Sequence, residues 1–244
     1  MIDLVNGRPK PAAIIPARDI AIVNRSTVVT DADLLSVIPA LQMQISRDFL
    51  PYWGADALLS FVGSGQTPPA GDLWQCLVLD NSDEAGDLGY HVDDTGTPQA
   101  KVFAAETLKD GLMLSVTLSH ELLEMLADPT ASRTLAEKGV TDIVEICDPV
   151  ESDEDGYDID GVRVSNFATP AYFGLPNPGG DNQRYDFRAL LKGPIPALRP
   201  GGYLMFLPDG ANAWESTMAR MKDGSLGRRA VRTHGRSRYR AAMR

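Results

Sequence analysis

An α+β fold is predicted, on three observations. Short β-branched and apolar runs fill much of the first hundred residues, and two long stretches carry helical spacing. Beyond residue 140 the helical signal fades into acidic chain rich in proline and glycine. At 244 residues and 43% hydrophobic content, the chain is long enough to bury a full core. No repeat and no clear linker divides it before residue 226.

The first strand is expected at "IAIVNRSTVV" (20–29), bounded by Asp19 and Thr30. A helix follows over 30–54. Thr30 and Asp33 form a capping pair, and Leu34, Leu35, Ile38, Leu41 and Ile45 recur at helical spacing. Pro39 inside this pattern predicts a kink or a split. "ALLSFVGSG" (57–65) and "LWQCLVLDN" (73–81) read as two more strands, joined by the turn segment "QTPPAGD". The stretch 88–107 reads as an edge strand carrying His91, a turn at Asp94–Pro98, and a second short strand.

The second helix is the longest pattern. Leu112, Val116, Leu123 and Leu126 mark one face, widened by Leu114, Leu118 and Leu122, and Pro129 ends it. A helix so apolar is buried on most sides. His120, Glu121 and Glu124 therefore do not sit on a freely solvated face, and buried carboxylates need a partner or a metal. After it, "GVRVSNFATPAYF" (161–173) suggests a hairpin strand, with a hairpin turn in "DEDGYDIDG", while "GGYLMFLPDG" (201–210) suggests a short strand ending in a turn.

Charge is unevenly spread. The net value is −10, yet residues 227–244 hold seven arginines and no acid. Without those seven, 16 basic residues face 33 acidic ones, so the body carries −17. Acids are densest at 141–160, where nine of twenty residues are Asp or Glu. Such crowding repels unless cations sit among the carboxylates; a solvated acidic loop is the simpler alternative. The Arg-rich stretch reads as an arm for nucleic acid, a partner's acidic surface, or this protein's own body. No apolar run approaches the roughly 20 residues needed to span a bilayer, and the N-terminus lacks a secretory pattern. Cys76 and Cys147 are too few for a disulfide framework. A cytoplasmic protein without a membrane partner is expected.

On a helix, positions i and i+4 stack with an axial offset of about 6 Å, so His120 and Glu124 can converge on one ion. Glu121 points away by about 100° and is placed to reach water on that ion rather than the ion itself. This is the logic of His-Glu-x-x-His in zinc peptidases, with glutamate in place of the second histidine. Carboxylate oxygen binds zinc at about 2.0–2.2 Å, so the replacement is chemically permitted. Asp128 lies about 12 Å from His120 along a straight helix, too far to share its ion. Glu145 and Asp148, in the acidic stretch, are the candidates for a third ligand.

The motif "SHELLEMLADP" followed by "EICDP", and the element order before it, resemble the zincin metallopeptidases. The resemblance is to a His-Glu-x-x-Glu group found in bacteria and their phages, and it covers about residues 20–207. It implies a zincin-like domain over 1–226, with an arm at 227–244. The domain would have a twisted mixed sheet, a kinked N-terminal helix, a buried His-Glu-x-x-Glu helix and an irregular C-terminal part. His120 and Glu124 would be metal ligands, Glu145, ahead of Asp148, the third ligand by analogy to zincins that use a later glutamate, and Glu121 the catalytic base. Zinc is the implied ion, with Ca²⁺ or Mn²⁺ as oxygen-seeking alternatives. The implied activity is hydrolysis of a peptide or protein substrate. The alternative is an inactive zincin-like assembly protein, a phage virion component among neighbouring structural proteins. Tyr157, Tyr172, Tyr185 and Tyr203 are candidate oxyanion donors, and nothing in the sequence selects among them.

Overall fold

Residues 17–221, apart from 84–86, 94–95 and 138, are described by the computed structural model, with two short antiparallel strands before them, β1 (Leu4–Val5) and β2 (Arg8–Pro9). The main sheet is built on β3 (Arg18–Asn24), whose residues Ile20 to Asn24 are all buried. A continuous buried run is the mark of a parallel strand covered on both faces. The strand stops five residues short of the expected span. The Ser26 and Thr27 hydroxyls both donate to the Asp80 carboxylate, and Asn24 Nδ2 donates to Asp31 Oδ1 at 2.7 Å, so side chains turn this segment into a loop.

β3 lies between β4 (Ala57–Val62) and β5 (Trp74–Leu79), parallel to both. Beyond β5 come β7 (Gln99–Phe103), also parallel, and then β6 (Gly89–Val92), antiparallel to β7 at the edge. The five-stranded order is β4-β3-β5-β7-β6, a mixed sheet. The expected edge strand is thus β6, and His91 lies on it.

The first predicted helix forms as a bent helical region. α1 (Asp31–Met43) starts with the full Thr30–Asp33 capping box and runs through Pro39. The backbone then widens to a π-helix over Gln44–Phe49 and ends in α2 (Leu50–Trp53), closed by left-handed Gly54. The irregularity therefore falls after Met43 and not at Pro39. It turns Gln44, Ile45, Asp48 and Phe49 inward.

α3 (Ala104–Lys109) is a short helix where the sequence reading continued a strand to 107. α4 (Leu114–Ala127) carries the histidine motif and is buried without interruption from Val116 to Leu126. It packs on β5, β6 and β7, and also against α1, α3 and the later strand β11 (Val162–Val164).

The C-terminal part is irregular as expected, but it holds a sheet that the hydrophobic pattern did not reveal. β8 (Thr134–Glu137), β9 (Val140–Ile143), β12 (Tyr203–Pro208) and β13 (Glu215–Met218) pair antiparallel in the order β13-β12-β9-β8. β10 (Tyr157–Ile159) pairs with β11 as a hairpin. Its two turn residues, Asp160 and Gly161, have φ of 49° and 82°, the left-handed pair of a type I′ turn. Phe167 packs against Phe49 and Tyr52, which joins this part to the N-terminal helical region. Among the described residues no helix is long and apolar enough to cross a membrane. The arm at 227–244 lies outside the described residues.

Candidate metal centre

The position of α4 is set by polar bonds as well as apolar burial. Ser119 Oγ donates to Gln44 Oε1 at 2.6 Å and accepts from Ser165 N at 3.0 Å, while Gln44 Nε2 donates to Ser165 O at 2.7 Å. The π-helical turn places Gln44 inside the core, so this network depends on it. One residue on from Ser119 stands His120. The helix closes at Asp128, whose φ of −138° and ψ of 79° leave the helical region. The Asp128 carboxylate accepts from Arg133 N at 2.5 Å and from Thr130 Oγ1 at 3.3 Å. It organises the helix exit, and it is not gathered with His120 and Glu124.

Segment 144–148, between β9 and the 3-10 turn Asp148–Val150, folds over α4. Cys147 N donates to Glu124 Oε1 at 3.0 Å, which pins the segment to the helix. His120 Nε2 then lies 3.1 Å from Glu124 Oε2 and 3.2 Å from Asp148 Oδ1. Both are ion-pair distances. Glu145 comes in beside a different imidazole. A His91 nitrogen, a Glu124 oxygen and a Glu145 oxygen all lie within 4.8 Å of one another, as do ligand atoms of His120, Glu124 and Cys147. Glu124 belongs to both groups.

All of these side chains are buried, with Glu124 and Asp148 each only 1% exposed. The acidic stretch 141–160 is therefore not simply a solvated loop. Asp142, Glu145, Asp148, Glu151 and Asp155 are drawn inside, while Asp158 and Asp160 stay exposed. Arg47, Lys101, Arg199 and Arg163 pair with Asp48, Asp83, Asp155 and Asp158. Burial opposes a charged His120, but the Glu124 and Asp148 carboxylates beside it prevail and hold its pKa well above the usual histidine value. Burial, reinforced by the Glu124 carboxylate, pushes the Cys147 thiol well up, so it remains a neutral thiol.

Glu121 is buried against β6. A Cβ added at Gly89 would meet Glu121 Oε1 at 2.7 Å and its Cγ at 2.8 Å, so the glycine leaves the room that this carboxylate occupies. Two of the four candidate tyrosines have their hydroxyls engaged elsewhere: Tyr157 donates to Asp48 Oδ2 at 2.9 Å and Tyr172 to Ala197 O at 2.8 Å.

The structure thus gathers His120, Glu124, Glu145 and Asp148, sets Glu121 beside the edge strand, and leaves Asp128 apart. His91, which the sequence placed only on an edge strand, is buried in the cluster. Cys147 is buried and also touches the site. The available signal for His91 was its place on a strand predicted at the sheet edge. No family model, curated protein or solved structure matches the chain.

Proposed function

We propose that the protein is a zincin-like hydrolase of peptide bonds that uses one divalent ion held by His120, Glu124 and Asp148. The observation carrying this reading is the pair of distances from His120 Nε2, 3.1 and 3.2 Å, to two buried carboxylate oxygens. Ligands on a tetrahedral zinc, at about 2.0–2.1 Å from the metal, stand about 3.3 Å from one another. The two separations from His120 Nε2 are of that size. A donor set with an imidazole favours zinc or manganese over calcium, and zinc is the proposed ion. Of the two sequence candidates for third ligand, Asp148 is preferred because it lies 3.2 Å from His120 Nε2, while Glu145 stands with His91.

A divalent ion there supplies Lewis acidity, which polarises a carbonyl and makes water a better nucleophile at neutral pH. The chain's residues do the rest. Glu121, not among the three ligands, takes the proton of the attacking water on its carboxylate and returns it to the leaving amine. Gly89 gives that carboxylate its room, and the edge strand β6 brings backbone N–H and C=O groups beside it.

The depth of the cluster favours a second reading. With Glu121 3% exposed, the centre fits a closed structural metal site in an assembly protein, which cleaves nothing. Glu121→Gln separates the two. It retains size but accepts no proton, so a hydrolase should keep its metal and fold while losing cleavage of a broad peptide library. A metal-loaded wild type that cleaves no peptide would favour the structural reading.

A further inference from the structure

We propose that the centre takes a second divalent cation, held by His91, Glu124 and Glu145, with Glu124 bridging the two ions. The inference rests on the reading of the first ion at His120.

The donor set is gathered from three separate parts of the chain. His91 comes from the edge strand β6, Glu124 from α4, and Glu145 from the segment after β9. Their ligand atoms converge to within 4.8 Å, and all three residues are more than nine-tenths buried. A cation among two buried carboxylates and an imidazole offsets the cost of burying them.

The backbone holds the His91 ring at one nitrogen. Its Nε2 lies 3.0 Å from the carbonyl oxygen of Asp128. A carbonyl only accepts, so Nε2 carries the proton, and the lone pair of the neutral ring is on Nδ1. An imidazole that donates from one nitrogen to a backbone carbonyl and offers the other to a metal is the usual support arrangement of a histidine ligand. Asp128, the helix-end residue excluded from the first site, thereby positions a ligand of the second through its backbone.

Glu124 is suited to bridge. One of its oxygens stands 3.1 Å from His120 Nε2, and the carboxylate is also a member of the His91 group. Carboxylates span ions about 3.5–4 Å apart in two-metal hydrolases. The charges agree with two ions. Glu121, Glu124, Glu145 and Asp148 carry four formal negative charges in a buried volume. Two divalent ions would match those four charges.

The test is metal stoichiometry of the full chain after dialysis against Mn²⁺ or Zn²⁺, with wild type beside His91→Ala and the near-isosteric Glu145→Gln. Two ions per chain in wild type and one in each variant are expected. The Mn²⁺ form should give the electron paramagnetic resonance signal of a coupled pair in wild type and of isolated ions in both variants. Wild type and both variants each binding a single ion would overturn the second subsite and leave the His120 site standing. No bound ion in wild type would remove both readings. Glu145→Gln also guards against misfolding of His91→Ala, because a folded Glu145→Gln that retains two ions contradicts the assignment alone.

Discussion

Gly89→Ala tests how the base is seated. The added Cβ would stand 2.7 Å from Glu121 Oε1, 2.8 Å from Cγ and 2.9 Å from Cδ, whereas ordinary contact begins near 3.4 Å. Roughly 0.7 Å must be opened, the difference between that limit and the shortest contact. Backbone strain does not enter, since Gly89 is not in the left-handed region. Cγ is close to the helix backbone and cannot swing clear, so Glu121 or β6 must move. Overpacking of this kind costs about 1–3 kcal/mol. For a chain of this size that is a fall in melting temperature of about 2–4 °C per kcal/mol. Metal content should not change, because Glu121 is not a proposed ligand. Peptide cleavage should fall by about 10- to 100-fold, since a misplacement of about 1 Å costs a reaction up to about 10². Thermal melts and urea titrations of Gly89→Ala, Glu121→Ala and the double variant give the coupling. With Glu121 truncated, the alanine at 89 should cost less than about 0.5 kcal/mol. An equal cost in both backgrounds would mean that the Cβ strikes something else, and no cost in either would refute the close approach.

Three further outcomes follow from the geometry. Asp128→Asn should leave metal content unchanged while Asp148→Asn lowers it, because Asp128 accepts from Arg133 N and Asp148 faces His120; metal analysis of the two variants decides. Metal binding should release a proton at pH 7. The carboxylates beside His120 hold its pKa well above 6.5, so the metal-free ring is protonated and a metal ligand is not. Calorimetric titrations in buffers of different ionisation enthalpy read that proton, and equal enthalpies would contradict it. The sign for stability is the same: in chelator, the His120 contribution is full below about pH 6.5 and is lost as pH rises through the raised folded value. Thr30→Ala removes the two bonds of the Thr30 hydroxyl with Asp33, leaves the bond from Thr30 N to the Asp33 carboxylate, and should cost about 1 kcal/mol in urea unfolding, with metal content untouched.

What was legible in the sequence was local. The capping box, the apolar period of α4 and the Asp160–Gly161 turn each depend on residues a few positions apart, and each forms as read. The first strand ended early because Asp80, more than fifty residues on, captures Ser26 and Thr27. Pro39 signalled an irregular helix but misplaced it, since the π-turn is coupled to Gln44 bonding to Ser165 across the core. β12 was read at 201–210, but the sheet it joins was not, because the β9–β12 pairing links residues more than sixty positions apart. For the centre, the i, i+4 spacing was enough to place His120 beside Glu124. The sequence narrowed the third ligand to Glu145 and Asp148, and it took the fold over α4 to set Asp148 against His120 and Glu145 against His91. His91 was hidden because an isolated histidine on a strand has no spacing to mark it; only the sheet order brings β6 beside α4.

The central claim is that the buried carboxylates of α4 and segment 144–148 hold a divalent ion together with His120. Elemental analysis of the purified full chain beside His120→Ala tests it most directly, with circular dichroism to establish that both are folded. The account predicts at least one equivalent of a divalent metal in wild type and a loss of at least one in His120→Ala. Negligible metal in wild type, or metal unchanged in a folded His120→Ala, would contradict it.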